Sequence, residues 1–388
     1  IQTWSRALLA AGIRKGDRVA MLCTPRAEFW IAFLAAARIG AIWVGLNPKY
    51  TVRECEYVLG DATPRLAFML ASANGQSFAE HAAALGDAGR DIVSIGGTLP
   101  GAVDIADFLD AGRGVAEARV DAATAAVETL DPALIVYTSG STGSPKGAVL
   151  SHYGLSYGAS MQAVHFALDQ PGIVVSFPIN HVASVADTCA TTLVRGGKIV
   201  FQEHFDPVAS VEQTVRERCS MMAGVPTMFQ MQIAEASFAD ADFSALELIL
   251  WGGAAMPVDC IETLQKLGKR MLTAYGMTET ACHVTYTDAD ADLAVLATTV
   301  GRPDPHCRIR IQTDDGSPAG VDNPGELQVQ GQFLMLRYWN RDEATRATFT
   351  DDGWLKTGDL AVVRGDGNIR IVGRLSDMFK SGGYNVYP

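Results

Sequence analysis

Tyr137-Thr138-Ser139-Gly140-Ser141-Thr142-Gly143-Ser144-Pro145-Lys146-Gly147 lies between two short apolar runs, Leu134-Ile135-Val136 before it and Ala148-Val149-Leu150 after it. Glycines and small residues let backbone N–H groups converge on a polyphosphate, and hydroxyls with one lysine complete the cage. A Walker A loop would place Gly directly before the Lys, Ser or Thr directly after it, and would open a helix. Here Pro145 precedes Lys146, Gly147 follows it, and the next element reads as a strand. The segment is therefore a phosphate loop of another kind. A flexible Ser/Gly linker has no need of a Pro-Lys-Gly ending and seldom sits between two apolar strands of a packed pattern.

Working outward, the residues before the loop alternate between helical and strand patterns. Residues 1–11, 27–38 and 51–59 read as helix, and 18–22, 41–44 and 65–70 as strand. Strands that alternate with helices of about ten residues imply a parallel sheet covered on both faces. Residues 71–130, rich in Ala, Gly and Asp, carry weaker patterns. Beyond the loop the alternation resumes, with strands at 134–137, 173–177, 199–201 and 248–251 and helices at 154–167, 207–218 and 257–267. From about residue 308 the texture changes to short strands (308–311, 326–330, 368–372) between Gly, Pro and Asp turns, which predicts a small antiparallel unit.

Composition narrows the function. The 388 residues are 48% hydrophobic and 19% charged, with a formal net charge of -12. An acidic surface repels phosphate backbones and anionic lipid, so no nucleic acid is expected as a partner, and an anionic ligand must be gripped locally. No apolar run reaches the roughly 18–20 residues that span a bilayer. The seven cysteines are scattered and form no CxxC pair, which argues for buried free thiols rather than a zinc site or disulfides. Nothing in this composition opposes a homodimer.

Two further motifs carry chemistry. Trp251-Gly252-Gly253-Ala254-Ala255-Met256-Pro257 follows a strand and precedes a helix, and its paired glycines allow a flat ligand to approach the backbone. Tyr275-Gly276-Met277-Thr278-Glu279-Thr280 offers an aromatic to stack on a purine, a hydroxyl for a phosphate and a carboxylate for Mg²⁺. With Trp354-Leu355-Lys356-Thr357-Gly358-Asp359 and Gly373-Arg374, these motifs follow the phosphate loop in the order of the adenylate-forming superfamily. The chain resembles that superfamily (acyl-CoA synthetases, luciferases and peptide-synthetase adenylation domains) over essentially its whole length, and looks most like an acyl-CoA ligase.

The resemblance implies an α/β fold: two mostly parallel sheets flanked by helices, plus a small β-barrel subdomain. It implies an AMP-binding domain over 1–373, with α/β subdomains at about 1–170 and 171–305 and a β-rich one at 306–373. Residues 374–388 would hold a hinge at Ser376 and open a further C-terminal domain that carries a catalytic Lys. ATP, Mg²⁺ and CoA are the implied cofactor and co-substrates. Thr138, Ser139, Gly140, Ser141, Thr142, Gly143 and Lys146 would hold the phosphates. Gly253, Ala254, Tyr275 and Gly276 would line the adenine, and Thr278 would meet the α-phosphate. Glu279 would bind the metal, while Asp359 and Arg374 would hold the ribose. His181, in Pro178-Ile179-Asn180-His181, matches a motif that usually reads aromatic-His and would lie between the acid pocket and the loop.

The acyl pocket would lie among residues 181–187, Gly224-Val225-Pro226 and the turn after Trp251, with His181, Val182, Gly224, Val225, Trp251 and Gly252 as its lining. Its residues are mostly small or apolar, and no carboxylate there, Asp187 included, is placed to hold an α-ammonium group, so a hydrophobic carboxylate is favoured over an amino acid. Trp251 would shorten the pocket if it points inward. The other histidines are expected in core or surface positions, and Met221, Met222 and Met228 in the core. The expected reaction is acyl-adenylate formation followed by transfer to CoA, in the cytoplasm. Loading of a carrier protein, a luciferase-like oxygenase and a nucleotide-binding regulator without catalysis are the alternatives.

Overall fold

The strand Arg18–Leu22 is buried at all but its first residue and forms the centre of an eight-stranded sheet. Its run of apolar residues lacks the alternation of a half-exposed strand because helices cover both faces. In the computed structural model, residues 1–388 are described except 88, 139–143, 377–378, 382–383 and 387–388. Ile42–Leu46 and Leu66–Leu70 flank the central strand in parallel. Asp91–Ile95 extends the sheet on one side and Pro132–Thr138 on the other, again in parallel. Helices Ala27–Arg38, Val52–Ala62 and Ala79–Asp87 make the crossovers, and Gln2–Ala10, which precedes the first strand, packs on Ala27–Arg38. Val52–Ala62 starts with a reciprocal cap in which Glu54 N–H donates to the Thr51 hydroxyl and Thr51 N–H to the Glu54 carboxylate.

The Ala-rich stretch that reads weakly in the sequence supplies the strand Asp91–Ile95 and helices Ala79–Asp87, Ile105–Ala111 and Glu117–Ala125. The two strands beside the phosphate loop, Pro132–Thr138 and Lys146–Ser151, pair antiparallel. The chain returns much later to add Arg337–Tyr338 to the outer edge of that hairpin.

The second sheet has seven strands. Lys198–Phe201, Gly172–Val175, Met221–Gly224, Leu248–Gly252 and Arg270–Gly276 run parallel, and His283–Tyr286 and Arg302–Pro303 follow antiparallel. Along Leu248–Gly252 the side chains alternate as the pleat requires. Leu248 and Leu250 join the main core. Ile249 and Trp251 face a separate core with Phe229, Cys260 and Leu264 from the covering helices. Met221 and Met222 are buried core residues. The β-rich segment forms a four-stranded antiparallel sheet of Arg308–Gln312, Gly325–Gln330, Leu355–Val363 and Ile369–Arg374. All seven cysteines are free and buried. Among the described residues no helix is long and apolar enough to cross a membrane.

Candidate active site

Thr138 and Lys146 face each other as the last pair of the loop hairpin. The loop is therefore held at both ends by a rigid sheet. Tyr57 Oη donates to the carbonyl of Pro145 at 2.9 Å, fixing the approach to Lys146. The absence of a side chain after that lysine also has a packing cause: a Cβ on Gly147 would sit 2.7 Å from Ile135 Cγ2.

Met277 to Thr280 form the turn that presents the next groups. The Thr280 hydroxyl accepts from Met277 N–H and is 2.7 Å from the Cys282 carbonyl, so it locks the turn from within. Gly276 is required there, since a Cβ would collide with the carbonyl of Cys282. Thr278 and Glu279 are buried at the end of the strand. The Tyr338 hydroxyl donates to Glu279 Oε1 at 2.7 Å, and its ring lies 5.3 Å from Lys146 Nζ. Burial, and then the Glu279 charge, push the Tyr338 phenol well up, so it stays a proton donor. One tyrosine thus links the carboxylate to the loop lysine.

Asp359 closes the other side. Its Oδ2 accepts from the Tyr275 hydroxyl at 2.6 Å, and its Oδ1 lies 3.0 Å from Arg374 Nε. Asp359 is buried whereas Arg374 is exposed. Burial and the Asp359 charge hold the Tyr275 phenol protonated.

Two cavities meet at this constellation. One, of about 500 Å³, is lined by Gly253, Ala254, Tyr275, Thr298, Asp359 and Gly373. The other, of about 370 Å³, is lined by Val182, Ala183, Gly224, Val225, Leu250 and Gly252, with Thr138, Thr278 and Glu279 at its polar end. Gly253, Gly276, Met277 and Arg374 line both. A nucleotide-sized space and a smaller space of mixed lining therefore share one wall at the turn that carries Thr278 and Glu279.

A family model described as AMP-binding enzyme matches residues 2–339. The chain belongs to the AMP-binding enzyme family. It is 35% identical to a feruloyl-CoA synthase of Amycolatopsis sp over 386 residues, which is 99% of this chain and 74% of that protein. It is 31% identical to an indoleacetate–CoA ligase of Aromatoleum aromaticum (100% of this chain, 74% of that protein). ATP-bound MatB from Rhodopseudomonas palustris superposes with a TM-score of 0.86 at 28% identity, covering 100% of this chain and 75% of MatB.

In this member of the AMP-binding family, most residues singled out from the sequence line the two cavities. Thr138, His181, Val182, Gly224, Val225, Gly252, Thr278 and Glu279 line the smaller one. Ala254, Tyr275 and Asp359 line the larger, and Gly253, Gly276 and Arg374 belong to both. Lys146 stands at the hairpin mouth, and Ser376 lies in an exposed turn after Arg374. Ser139, Gly140, Ser141, Thr142 and Gly143 lie outside the described residues. Trp251 differs from its expected place. It lines the larger cavity and packs into the helix-side core, because strand alternation turns Leu250 and not Trp251 towards the smaller cavity.

His181 opens into the smaller cavity, and its Nδ1 accepts from Ala183 N–H at 3.1 Å. A neutral ring then carries its proton on Nε2. Desolvation pulls its pKa below the ordinary imidazole value, with Asp187 acting weakly the other way.

Two residues of the site, Tyr338 and His283, escape the sequence motifs. Tyr338 reaches Glu279 from 59 positions away. Asp187, at the end of the stretch from His181 singled out in the sequence, and His283, which the sequence leaves among the core and surface histidines, both line the smaller cavity. The only signal in the sequence for Tyr338 is its place in the strand-forming pair Arg337-Tyr338. A metal ion would find one carboxylate here, Glu279, beside the hydroxyls of Thr138 and Thr278. Among the described residues no group of three or more His, Cys, Asp or Glu could hold an ion alone. Mg²⁺ is commonly held by one or two carboxylates plus substrate phosphates and water, so the residues present fit it.

Proposed function

We propose that this chain activates a hydrophobic carboxylic acid as its acyl-adenylate and passes the acyl group to CoA. By family and relatives the chain is an AMP-forming acyl-CoA ligase, using ATP, a carboxylic acid and CoA. The observation that supports the residue-level reading is the shared wall: a nucleotide-sized cavity and a smaller one that holds Thr138, His181, Thr278 and Glu279 meet at the Gly276–Met277 end of the same turn.

A carboxylate is a poor acyl donor because its leaving group would be oxide. Attack of one carboxylate oxygen on the α-phosphorus of ATP forms the mixed anhydride and expels pyrophosphate. Charge builds on an already anionic phosphate, so preorganised donors and cations dominate the catalysis. In our reading Lys146 and the loop amides hold the β- and γ-phosphates, and Thr278 orients the α-phosphate. Tyr275 and Gly253–Ala254 flank the adenine, while Asp359 with Arg374 holds the ribose hydroxyls. His181 donates from Nε2 towards the reacting carboxylate. Mg²⁺ held by Glu279 would neutralise charge on the phosphates. A thiol then attacks the acyl carbon, and AMP leaves with the oxygen that came from the acid.

We further take residues 1–373 as the nucleotide-binding unit, with limits near 170 and 305 between its parts and a hinge at Ser376. The acyl cavity favours a fatty or aryl acid, and two relatives are named for aryl acids, feruloyl and indoleacetate. A cytoplasmic site of action agrees with the need for ATP and CoA.

The test is incubation of the full-length protein with ATP, Mg²⁺, CoA and a panel of carboxylic acids, with products read by mass spectrometry. AMP with one acyl-CoA is the expected result. Acyl-AMP without acyl-CoA would replace CoA by a carrier protein, and no nucleotide turnover would overturn the catalytic reading.

A further inference from the structure

Besides Thr138, His181, Thr278, Glu279 and Arg374, which the proposed reaction uses, the smaller cavity carries one further carboxylate–imidazole pair, Asp187 and His283. Asp187 stands on the π-helix Ala183–Ala190 and His283 begins the strand His283–Tyr286. Both line the cavity, and Asp187 Oδ2 and His283 Nε2 are 3.9 Å apart. That separation exceeds a hydrogen bond, which closes at about 2.7–3.2 Å. The two groups lie within ion-pair range but make no direct hydrogen bond to each other.

Several features hold the pair open. The ring of His283 is braced edge-on by Tyr286, at 6.0 Å between centroids, and Tyr286 is itself stacked on His165. The His165 imidazole is anchored on Asp304 at 2.6 Å. On the other face the His283 ring lies against Gly252, where a Cβ would be 3.5 Å from Nε2. Asp187 is fixed by a helix of i→i+5 character, in which the Thr188 hydroxyl donates to the Ala183 carbonyl and the Thr191 hydroxyl to that of Ala186. The rear atoms, Asp187 Oδ1 and His283 Nδ1, are buried and have no hydrogen-bond partner among the described residues. Two facing polar groups whose rear atoms are buried without a partner have a use that packing alone does not explain.

We propose that Asp187 and His283 receive a hydroxyl group on the acyl part of the substrate. A hydroxyl oxygen placed between them donates to Asp187 Oδ2 and accepts from His283 Nε2–H. Two hydrogen bonds of ordinary length span a 3.9 Å gap with an angle near a right angle at the oxygen. The substrate class is then a hydrophobic acid carrying one phenol or alcohol group. This rests on the reading of the smaller cavity as the acyl pocket.

The test uses matched pairs: 4-hydroxycinnamate and cinnamate, 4-hydroxyphenylacetate and phenylacetate, and ω-hydroxydecanoate and decanoate. Each acid is assayed in the ligase reaction and, as its acyl-sulfamoyl-adenosine, by calorimetric binding to the chain. At least one hydroxylated member is expected to win by about ten- to a hundredfold, the range for a hydrogen bond to a charged group. That ratio is expected to fall to near one in Asp187→Ala and in His283→Ala. A ratio near one for every pair in the unmodified chain, or a preference that survives both variants, overturns the proposal. Binding of no member of any pair would instead overturn the acyl-adenylate reading itself.

Discussion

The hydroxyl of Tyr338 donates a 2.7 Å hydrogen bond to Glu279 Oε1 while its ring lies 5.3 Å from Lys146 Nζ. The tyrosine arrives on a two-residue strand at the edge of the loop hairpin, so the sheet that anchors the phosphate loop also positions the carboxylate. Tyr338→Phe keeps the ring and deletes the hydrogen bond. A bond to a charged group contributes about 1.5–3 kcal/mol, so kcat for pyrophosphate release should fall at least about tenfold. The Mg²⁺ requirement should rise in the same titration. Unchanged kcat and Mg²⁺ dependence would remove Tyr338 from the site.

Asp359 accepts from Tyr275 and pairs with Arg374. Asp359→Asn keeps the size and removes the charge. The expected outcome is an ATP KM raised by about tenfold or more, because the ribose contact and the Arg374 pairing weaken together. Nucleotide titration by calorimetry reads this separately from any loss of Tm.

The chain-length profile should follow Leu250 and ignore Trp251. Leu250→Ala enlarges the acyl cavity and should shift preference to longer acids. Trp251→Leu should cost stability, a few kcal/mol by the usual price of large-to-small core changes, yet leave the ranking of acids in place. Denaturant melts and a panel of C4 to C14 acids decide it.

Desolvation lowers the pKa of His181 in the folded chain. The unfolded value is about 6.5, so the unfolded state binds more protons just below that pH. The stability tied to neutral His181 is complete above about pH 6.5 and is lost as the pH falls towards the lowered folded value. His181→Gln should therefore gain stability relative to the unmodified chain as pH drops from about 7 to 5. A Tm difference that stays flat over this range would contradict the assignment.

Much of this architecture is legible in the residues. The strand Arg18–Leu22 and the helix Ala27–Arg38 read cleanly because local periodicity and burial agree there. The weak 71–130 pattern hides Asp91–Ile95, a short strand whose assignment depends on pairing with Leu66–Leu70. The motifs around Lys146, Thr278 and Asp359 identify the nucleotide side, since small residues, hydroxyls and single charges are dictated by phosphate and sugar. Tyr338, His283 and the pairing of His283 with Asp187 are invisible to that reading. Their meaning comes from contacts made by distant strands and by a π-helix, and no local spacing encodes such a meeting. The direction of Trp251 likewise needs the sheet, since only the register of Leu248–Gly252 decides which side chains face the acid.

The most direct test of the account follows one oxygen atom. An acid turned over by the chain is labelled with ¹⁸O in its carboxylate and incubated with ATP, Mg²⁺ and CoA, and the products are weighed by mass spectrometry. An acyl-adenylate formed on the shared wall predicts one ¹⁸O atom in each AMP released and none in pyrophosphate. Label in a phosphate product, or acyl-CoA formed with unlabelled AMP, would contradict it.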